Sequence, residues 1–256
     1  MRAFLAFMKK EWMELVRTGK LWILLVVFVL FGIMNPAIAK LIPWMMEMFE
    51  ESFAQMGMSI SEVQVDALTS WGQFYKNVPM ALVVFLLMFS GTMTSECQKG
   101  TLIPILTKGM ERWKVVLAKT SMAIGMWTIC YWMCYAITYG YNWYFWDNGI
   151  AHHPLFAAFC LYLAGTWLIT LMLAASGFLK SNSAVLIAAG AVFLICYFAG
   201  MVPKFGTYLP TQLLGAGNLL SGAGKIEEYL WAIAVTGVLG ILNLAVSVIE
   251  FDRKEI

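Results

Sequence analysis

The residues best suited to acid–base or metal chemistry are scarce in this chain. Histidine occurs only as the adjacent pair His152 and His153. Two metal ligands on one helix face would need a spacing of three or four residues, as in H-E-x-x-H, together with neighbouring carboxylates. Only Asp147 is close in sequence. We therefore predict no catalytic residue and no metal site, and we interpret both histidines as solvated loop residues.

One glycine-rich stretch has part of the pattern of a nucleotide-binding loop. Gly217 and Gly222 have the glycine spacing of G-x-x-x-x-G-K-[ST], but Ala223 and Gly224 stand where the lysine and the hydroxyl residue belong. That lysine reaches the phosphates and that hydroxyl binds Mg²⁺, so this stretch lacks what a phosphate-binding loop needs. We expect no cofactor in this chain, and ATP and Mg²⁺ would have to be bound by a partner.

The densest charge in the chain lies in residues 96–119, between two long apolar runs. Its cations are Lys99, Lys108, Arg112, Lys114 and Lys119. A chain that buries itself in lipid keeps such a patch only where water or a partner meets it. We interpret the segment as a partner-binding loop. The alternative is a topological loop whose cations contact lipid head groups.

The composition is that of an integral membrane protein. Of the 256 residues, 61% are apolar and only 12% are charged, whereas soluble domains carry about 25% charged residues. Six uncharged runs reach or approach the roughly 20 residues that a helix needs to cross a bilayer. We predict one all-α membrane domain, residues 1–256. Its six spans lie at about 21–42, 77–95, 115–144, 154–179, 184–203 and 229–249.

The distribution of cations predicts the orientation. With six spans, 13 of the 17 Lys and Arg residues fall on one side, together with both termini and the loop 96–114. The positive-inside rule assigns that side to the cytoplasm. A signal peptide cleaved near Ala39 is the alternative for the first apolar run, but the 20-residue charged leader is too long for an n-region.

Residues 1–20 are predicted to form a helix in the membrane interface. A helical projection places an apolar face opposite a charged face, which is typical of interfacial helices. The apolar face contains Phe4, Met8, Trp12 and Leu15. The other face contains Lys9, Lys10, Glu14 and Arg17. A simple anchor and a lever that also touches a cytoplasmic partner both fit this pattern.

A second short amphipathic helix is predicted inside the charged loop. Glu96 closes the second span, and Thr101 is a candidate N-cap before an apolar run. Pro104 would then lie in the first turn, where a proline is tolerated, and Gly109 would end the helix. The spacing predicts a helix of little more than two turns.

Two segments on the outer side do not read as spans. Residues 43–77 contain amphipathic pieces, and Ser61 is a candidate cap of the second. Residues 205–224 are uncharged, but they contain five glycines and Pro210, which weaken a helix. We predict that residues 205–224 form a re-entrant or interfacial segment before the last span.

The charged loop resembles the cytoplasmic loop of ABC-2 type ABC transporter permeases, the membrane subunits of exporters. The resemblance is carried by Glu96, by Gly100-Thr101-Leu102, and by Arg112 followed by Lys119 at the start of the third span. The six-span layout with a basic N-terminal helix also matches. Pro104 and Gly109 depart from the family pattern. The resemblance implies a coupling helix whose ATPase-coupling residues are Glu96, Lys99, Gly100, Thr101, Leu102, Ile105, Lys108 and Arg112.

The resemblance further implies the partners and the activity. A cytoplasmic ABC ATPase would bind this loop and drive spans one, two and five, and a second copy or a sister permease would complete a dimer. The location would be a bacterial-type cell membrane, with no nucleic-acid partner. The substrate would be a peptide, an antibiotic or another amphiphile. The alternative is a non-transporting membrane scaffold or an unrecognised membrane enzyme.

Overall fold

The computed structural model describes residues 2–55, 65–107 and 109–254 of the chain, and every regular element in them is helical. The α-helices are α1 (Arg2–Arg17), α2 (Lys20–Gln55), α3 (Ala67–Phe89), α4 (Gly91–Gln98), α5 (Ile103–Thr107), α6 (Arg112–Phe145), α7 (Pro154–Phe178), α8 (Asn182–Gly200), α9 (Pro203–Gly206) and α10 (Glu227–Arg253). Two 3₁₀ helices are η1 (Asn148–Ile150) and η2 (Pro210–Leu219).

The prediction of an all-α membrane protein is confirmed. Five helical segments of the described chain are long and apolar enough to cross a membrane: Lys20–Met48, Ala67–Gln98, Pro154–Phe178, Asn182–Gly200 and Glu227–Arg253. Helix α6 has 34 residues, but it is rich in Tyr, Trp and Thr, which lower its mean hydropathy. The sixth span therefore stays a prediction.

Helix α2 departs most from its predicted span. The predicted span ends at about residue 42, whereas helix α2 continues through Pro36 and Pro43 to Gln55. The Met- and Glu-rich stretch after Pro43 keeps a helical pattern, so the helix continues beyond the apolar run. Helix α3 begins ten residues before its predicted span, because the Asp66 side chain accepts a hydrogen bond from the Thr69 amide at 2.9 Å. The cap predicted at Ser61 lies outside the described residues.

Aromatic side chains of α6 fill the centre of the bundle. Trp127 is fully buried and meets the rings of Phe28 on α2 and Phe85 on α3 edge to face, with centroids 5.9 and 5.7 Å away. Its indole nitrogen donates to the Tyr162 carbonyl on α7 at 3.2 Å. Edge-to-face rings add stabilisation beyond their buried area. Helix α6 thus joins α2, α3 and α7.

A polar seam also ties three helices inside the bundle. The Asn35 amide donates to the Thr138 hydroxyl at 3.0 Å, and the Asn77 amide donates to the Asn35 oxygen at 2.9 Å. Thr138 donates in turn to the Gly32 carbonyl at 3.1 Å. Buried polar groups require such partners. The seam fixes the rotation of α2, α3 and α6 relative to one another.

The segment predicted to be non-spanning at 205–224 consists of the end of α9, η2 and turns. Leu213, Ala216 and Leu219 of η2 are buried. The Tyr229 hydroxyl of α10 donates to the Gly215 carbonyl at 3.0 Å. The segment is therefore packed on the bundle. Its entry into the membrane stays a prediction.

One close helix contact allows a stability test. A methyl group at Gly165 of α7 would overlap the indole of Trp127, with Cε2 only 2.7 Å from the added carbon. We expect Gly165→Ala to destabilise the protein by about 1–3 kcal/mol, because the ring has no room to move. Thermal unfolding in detergent, followed by circular dichroism, measures the effect.

The matched control is Gly125→Ala on α6, where an added methyl group would meet no atom within 4 Å. This variant should be neutral or stabilising by up to about 1 kcal/mol, because alanine favours helix. Equal melting temperatures for the two variants would contradict the close packing of α7 on Trp127.

Candidate coupling site

Helix α4 ends in a turn that corrects one prediction. Gly100 has a φ of +65°, and its amide donates to the Cys97 carbonyl at 3.2 Å, while the Thr101 amide donates to the Glu96 carbonyl at 3.1 Å. This pair of bonds is a Schellman motif, which favours glycine at the left-handed position. The Thr101 hydroxyl also donates to the Glu96 carbonyl. Thr101 therefore helps to end α4, and the prediction that it is the N-cap of the next helix is wrong.

Helix α5 is shorter than predicted. It spans five residues, Ile103–Thr107, with Pro104 in its first turn as expected and Gly109 two residues after its end. Leu102 just before it is fully buried, whereas Ile103 is 44% exposed. Leu102 thus anchors the loop to the bundle, and α5 presents an apolar side chain to the surroundings.

Helix α1 lies against the same end of the bundle. Its buried side chains are Phe7, Glu11 and Leu15, and Trp12 is 44% exposed. Phe4, Met8 and Leu15 of the predicted apolar face pack on the bundle, whereas Trp12 does not. Contact of this helix with the membrane stays a prediction. Glu11 takes part in the buried face because two lysines neutralise its carboxylate.

Four charged side chains from three elements form a buried network. The Lys119 amine of α6 lies 2.8 Å from a Glu96 oxygen of α4 and 2.9 Å from a Glu11 oxygen of α1. The Lys10 amine contacts Glu96 as well and lies 3.0 Å from Glu11. Lys119 is 1% exposed, and Glu11 and Glu96 are also buried. Buried charges persist only when paired in this way.

The outer edge of this network includes Glu14, whose carboxylate lies 2.9 Å from the Lys10 amine. Burial alone would lower the pKa of Lys10, but hydrogen bonds to Glu96 and Glu14 and the charge of Glu11 outweigh it and hold the pKa well above its ordinary value. The carboxylates of Glu11, Glu14 and Glu96 lie close enough together to ligate a cation. The amines of Lys10 and Lys119 already pair with these three carboxylates. This arrangement fits an ion-pair network better than a metal site.

Arg112 reaches the end of the last helix. Its guanidinium donates to the carbonyls of Phe251, Asp252 and Lys254 at 3.1, 3.0 and 2.6 Å. These are the carbonyls that a helix C-terminus leaves without intrahelical partners, and a cation is favoured there. Arg112 therefore fastens the start of α6 to the end of α10.

Lys254 continues this connection to α7. Its amine donates to the carbonyls of Ser176 and Leu179 at 2.8 and 3.0 Å, at the C-terminal end of α7. Arg112 thus caps the C-terminal end of α10, and Lys254 caps the C-terminal end of α7. We call these two residues with their carbonyl acceptors the clasp.

Helix α4 is also fastened to the connection between α7 and α8. The Gln98 amide donates to the Lys180 carbonyl at 2.6 Å. The Thr94 hydroxyl donates to the Asn182 side chain at the start of α8. Helix α4, which precedes α5 in the chain, is therefore anchored to the start of a span that follows it in sequence.

An open cleft of about 420 Å³ lies between α5 and the end of α10. Its walls are formed by Ile103, Leu106, Thr107, Met110, Glu111, Arg112 and Asp252. Ile103, Leu106 and Met110 contribute apolar side chains to the cleft, Glu111 and Asp252 contribute carboxylates, and Arg112 contributes a guanidinium. The cleft is large enough for a few side chains of another protein.

The structure divides the predicted coupling residues into two groups. Glu96, Leu102, Arg112, Lys10 and Glu14 are buried or engaged in the contacts above. Exposed residues are Lys99, Thr101, Lys9 and Arg17, while Gly100 and Ile105 are partly exposed. Lys108 lies outside the described residues. Among the described residues, the exposed group is the more accessible to a partner.

Two residues of the site, Glu11 and Lys254, were not predicted to contribute to it. Lys119 was assigned to the charged loop but not to the coupling residues. A carboxylate on the otherwise apolar face of α1 is the signal for Glu11. A lysine followed by a run of 27 uncharged residues is the corresponding signal for Lys119. No local pattern marks Lys254, because its acceptors are backbone carbonyls.

These features define a multi-pass helical membrane protein with a short helix projecting from two anchored helix ends. The chain matches the family described as ABC-2 family transporter protein over residues 5–248 and belongs to that family. It is similar to the uncharacterized transmembrane protein YxlG of Bacillus subtilis (strain 168), with 25% identity over 272 residues, covering 100% of this chain and 99% of the relative. No solved structure matches the chain.

Membership of the family confirms the prediction of an ABC-2 type permease. The chain is a membrane permease subunit of an ABC transporter, a class of subunit that is typically non-catalytic and associates with an ABC ATPase and the membrane.

Proposed function

We propose that this chain is the membrane subunit of an ATP-driven exporter and receives motion from a separate ATPase through α5. The observation that carries the proposal is the position of α5 between two anchored connections. On one side α4 joins α1 and α6 through the Glu96 network. On the other side Arg112 joins α6 to α10. A push on α5 would therefore reach several spans.

The contacts of the site refine the path of this motion. Spans one, two and five were expected to move. The clasp adds α7 and α10, which are the predicted spans four and six. Positive charge at the α5 end supports a cytoplasmic location for it and for both termini. The apolar side chains of the cleft favour an ATPase segment with an apolar side chain, and Glu111, Arg112 and Asp252 offer charged partners beside it.

Replacing Ile103 by glutamate tests the docking role of α5. Ile103 is 44% exposed, so a glutamate there should leave the fold intact. Burying its carboxylate in an interface would be costly, because the charge would lose its water. We expect Ile103→Glu to reduce co-purification of the partner ABC ATPase by at least about tenfold, which corresponds to about 1.4 kcal/mol. Pull-down in a mild detergent with quantitative immunoblotting measures this.

The control is Ile150→Glu, since Ile150 is 40% exposed and lies in η1 at the opposite end of the bundle. Its ATPase recovery should equal that of the parent chain. Equal recovery with Ile103→Glu would show that α5 is not the docking element. Failure of the parent chain to retain any ATPase would favour the scaffold alternative.

A further inference from the structure

Helix α8 is the least buried of the five membrane-length helical segments. Only two of its 19 residues, Val185 and Ala189, are buried. They lie four residues apart and therefore on one face of the helix, and the helix that α8 mainly packs against is α7. An apolar crevice of about 340 Å³ lies between the middle of α8 and α3. Helix α8 is thus held to the bundle along a short strip in its first half.

The start of α8 is bonded to the coupling site. Thr94 of α4 is fully buried, and its hydroxyl donates to the side-chain oxygen of Asn182, the first residue of α8. The Asn182 amide also lies over Gly91 of α4, where an added Cβ would be only 2.7 Å from its nitrogen. Gly91 and Thr94 are three residues apart and share one face of α4. Because Glu96 lies on the same helix, Asn182 links α8 to the helix that the buried charge network holds.

The other end of α8 contacts η2 at the opposite end of the bundle. The Thr211 hydroxyl of η2 donates to the Cys196 carbonyl of α8 at 3.3 Å. The backbones are also close, since an added Cβ at Gly200 would lie 3.2 Å from the Thr211 hydroxyl oxygen. One at Gly206 would lie 2.7 Å from the Gly200 carbonyl oxygen. Helix α8 therefore contacts α4 at one end and η2 at the other.

We propose that α8 acts as a lever, with Val185 and Ala189 as its pivot and Asn182 as the positioning residue through which α4 moves it. A helix rises about 1.5 Å per residue, so Asn182 lies about 5–10 Å along the helix from the two pivot residues and Gly200 about 16–22 Å. The second arm is thus roughly 2.5 times the length of the first. A shift of about 1–2 Å at Asn182, as in other helix movements, becomes about 3–5 Å at the η2 end.

The surroundings of α8 permit this movement. The walls of the crevice are apolar side chains such as Leu82 and Leu86 of α3 and Phe193 of α8, and they offer no hydrogen bonds that would fix the middle of the helix. In contrast, η2 is held by buried Leu213 and Leu219. The inference rests on the proposed function, because it names the path by which motion at α5 reaches the far end of the bundle.

The spread of distances between spin labels at Leu155 and Met201 tests the lever in the permease alone. These residues are 63% and 64% exposed, and they lie at the start of α7 and directly after α8. We expect Asn182→Ala to broaden the distance distribution by about 3 Å or more, because the inner end of α8 is then no longer fixed. Double electron–electron resonance on the full chain in lipid nanodiscs, with the labels carried by unnatural amino acids, measures the effect.

Two further variants control this measurement. Asn182→Asp should restore the distribution of the parent chain, because its carboxylate still accepts the bond from Thr94. Ser183→Ala, at the next exposed residue of α8, should leave it unchanged. Asn182→Ala should keep the melting temperature of the parent chain, since the Thr94 hydroxyl retains the Ser90 carbonyl as an acceptor at 3.3 Å. An unchanged distribution in Asn182→Ala, or equal broadening in Ser183→Ala, would overturn the lever.

The complex with the ATPase separates this inference from the proposed function. ATP with vanadate should shift the Leu155–Met201 distance by about 3 Å or more, and Asn182→Ala should abolish the shift while the ATPase stays bound. A parent complex that holds the ATPase but shows no shift would overturn the lever and leave the docking role of α5 standing. A shift retained in Asn182→Ala would overturn the assignment of Asn182. Loss of the ATPase from the parent complex would overturn the proposed function, whereas broadening in the permease alone would still support the lever.

Discussion

Replacing Lys119 with methionine is expected to cost about 3–5 kcal/mol of stability, because it leaves buried carboxylates without one of their two counter-charges. Lys119 is 1% exposed and lies within 2.9 Å of both Glu11 and Glu96. For a chain of this size the loss corresponds to a fall of roughly 6–20 °C in apparent melting temperature. Thermal unfolding in detergent measures it.

A double-mutant cycle shows whether the effect comes from the ion pair. Glu11→Gln combined with Lys119→Met removes one charge of each sign and leaves Lys10 paired with Glu96. The double variant should melt higher than Lys119→Met alone. Lys114→Met is the control, because the Lys114–Glu111 pair is largely solvated and should change stability by less than about 1 kcal/mol. Additive losses in the cycle would contradict the network.

Replacing Arg112 with glutamine should uncouple the loop from the last span. Its guanidinium makes three bonds to helix-end carbonyls, and a bond with a charged donor is worth about 1.5–3 kcal/mol. Loss of that amount would accelerate amide exchange in the last turn of α10 by roughly 10–100-fold, at 1.4 kcal/mol per tenfold. Hydrogen–deuterium exchange measured by mass spectrometry resolves this turn.

The same variant tests transmission of motion in the complex. We expect Arg112→Gln to lower substrate-stimulated ATP hydrolysis at least about tenfold. ATPase binding is measured alongside, because Arg112 also lines the cleft beside α5. Arg112→Lys should restore part of the stimulation because it keeps the cation at the helix end. The control is Arg253→Gln, whose side chain is 75% exposed. Faster exchange with full stimulation would show that the clasp stabilises the fold without transmitting motion.

The fold class could be predicted because lipid imposes a simple rule on composition. Helix α7 begins at residue 154 as predicted and ends one residue early, at Phe178. The end of helix α2 could not be predicted from hydropathy, since Glu47 and the methionines around it continue the helical pattern beyond the apolar run. Hydropathy predicts which part of a helix lies in lipid, whereas the length of the helix depends on its backbone hydrogen bonds.

The site could be located but its internal contacts could not be predicted. Glu96 was placed in the loop because it is charged, yet its partner Lys10 is 86 residues away in the chain. Glu11 and Lys119 are 108 residues apart. Thr101 shows a different limit, since a Gly-Thr pair before an apolar run fits both the end of one helix and the start of another. The existence of α4 decides between them.

The clasp also bears on how the protein is made. Arg112 and its acceptor Lys254 are separated by 142 positions, so they can meet only after every intervening helix has been synthesised. Until then the C-terminal end of α10 lacks the Arg112 cation and that of α7 lacks the Lys254 cation. The spans can therefore adjust their tilt and rotation as they enter the bilayer. The Arg112–Lys254 bond, which would transmit force in the finished transporter, is thus absent while the spans insert. It joins α6 to the end of α10 only after the helices have packed.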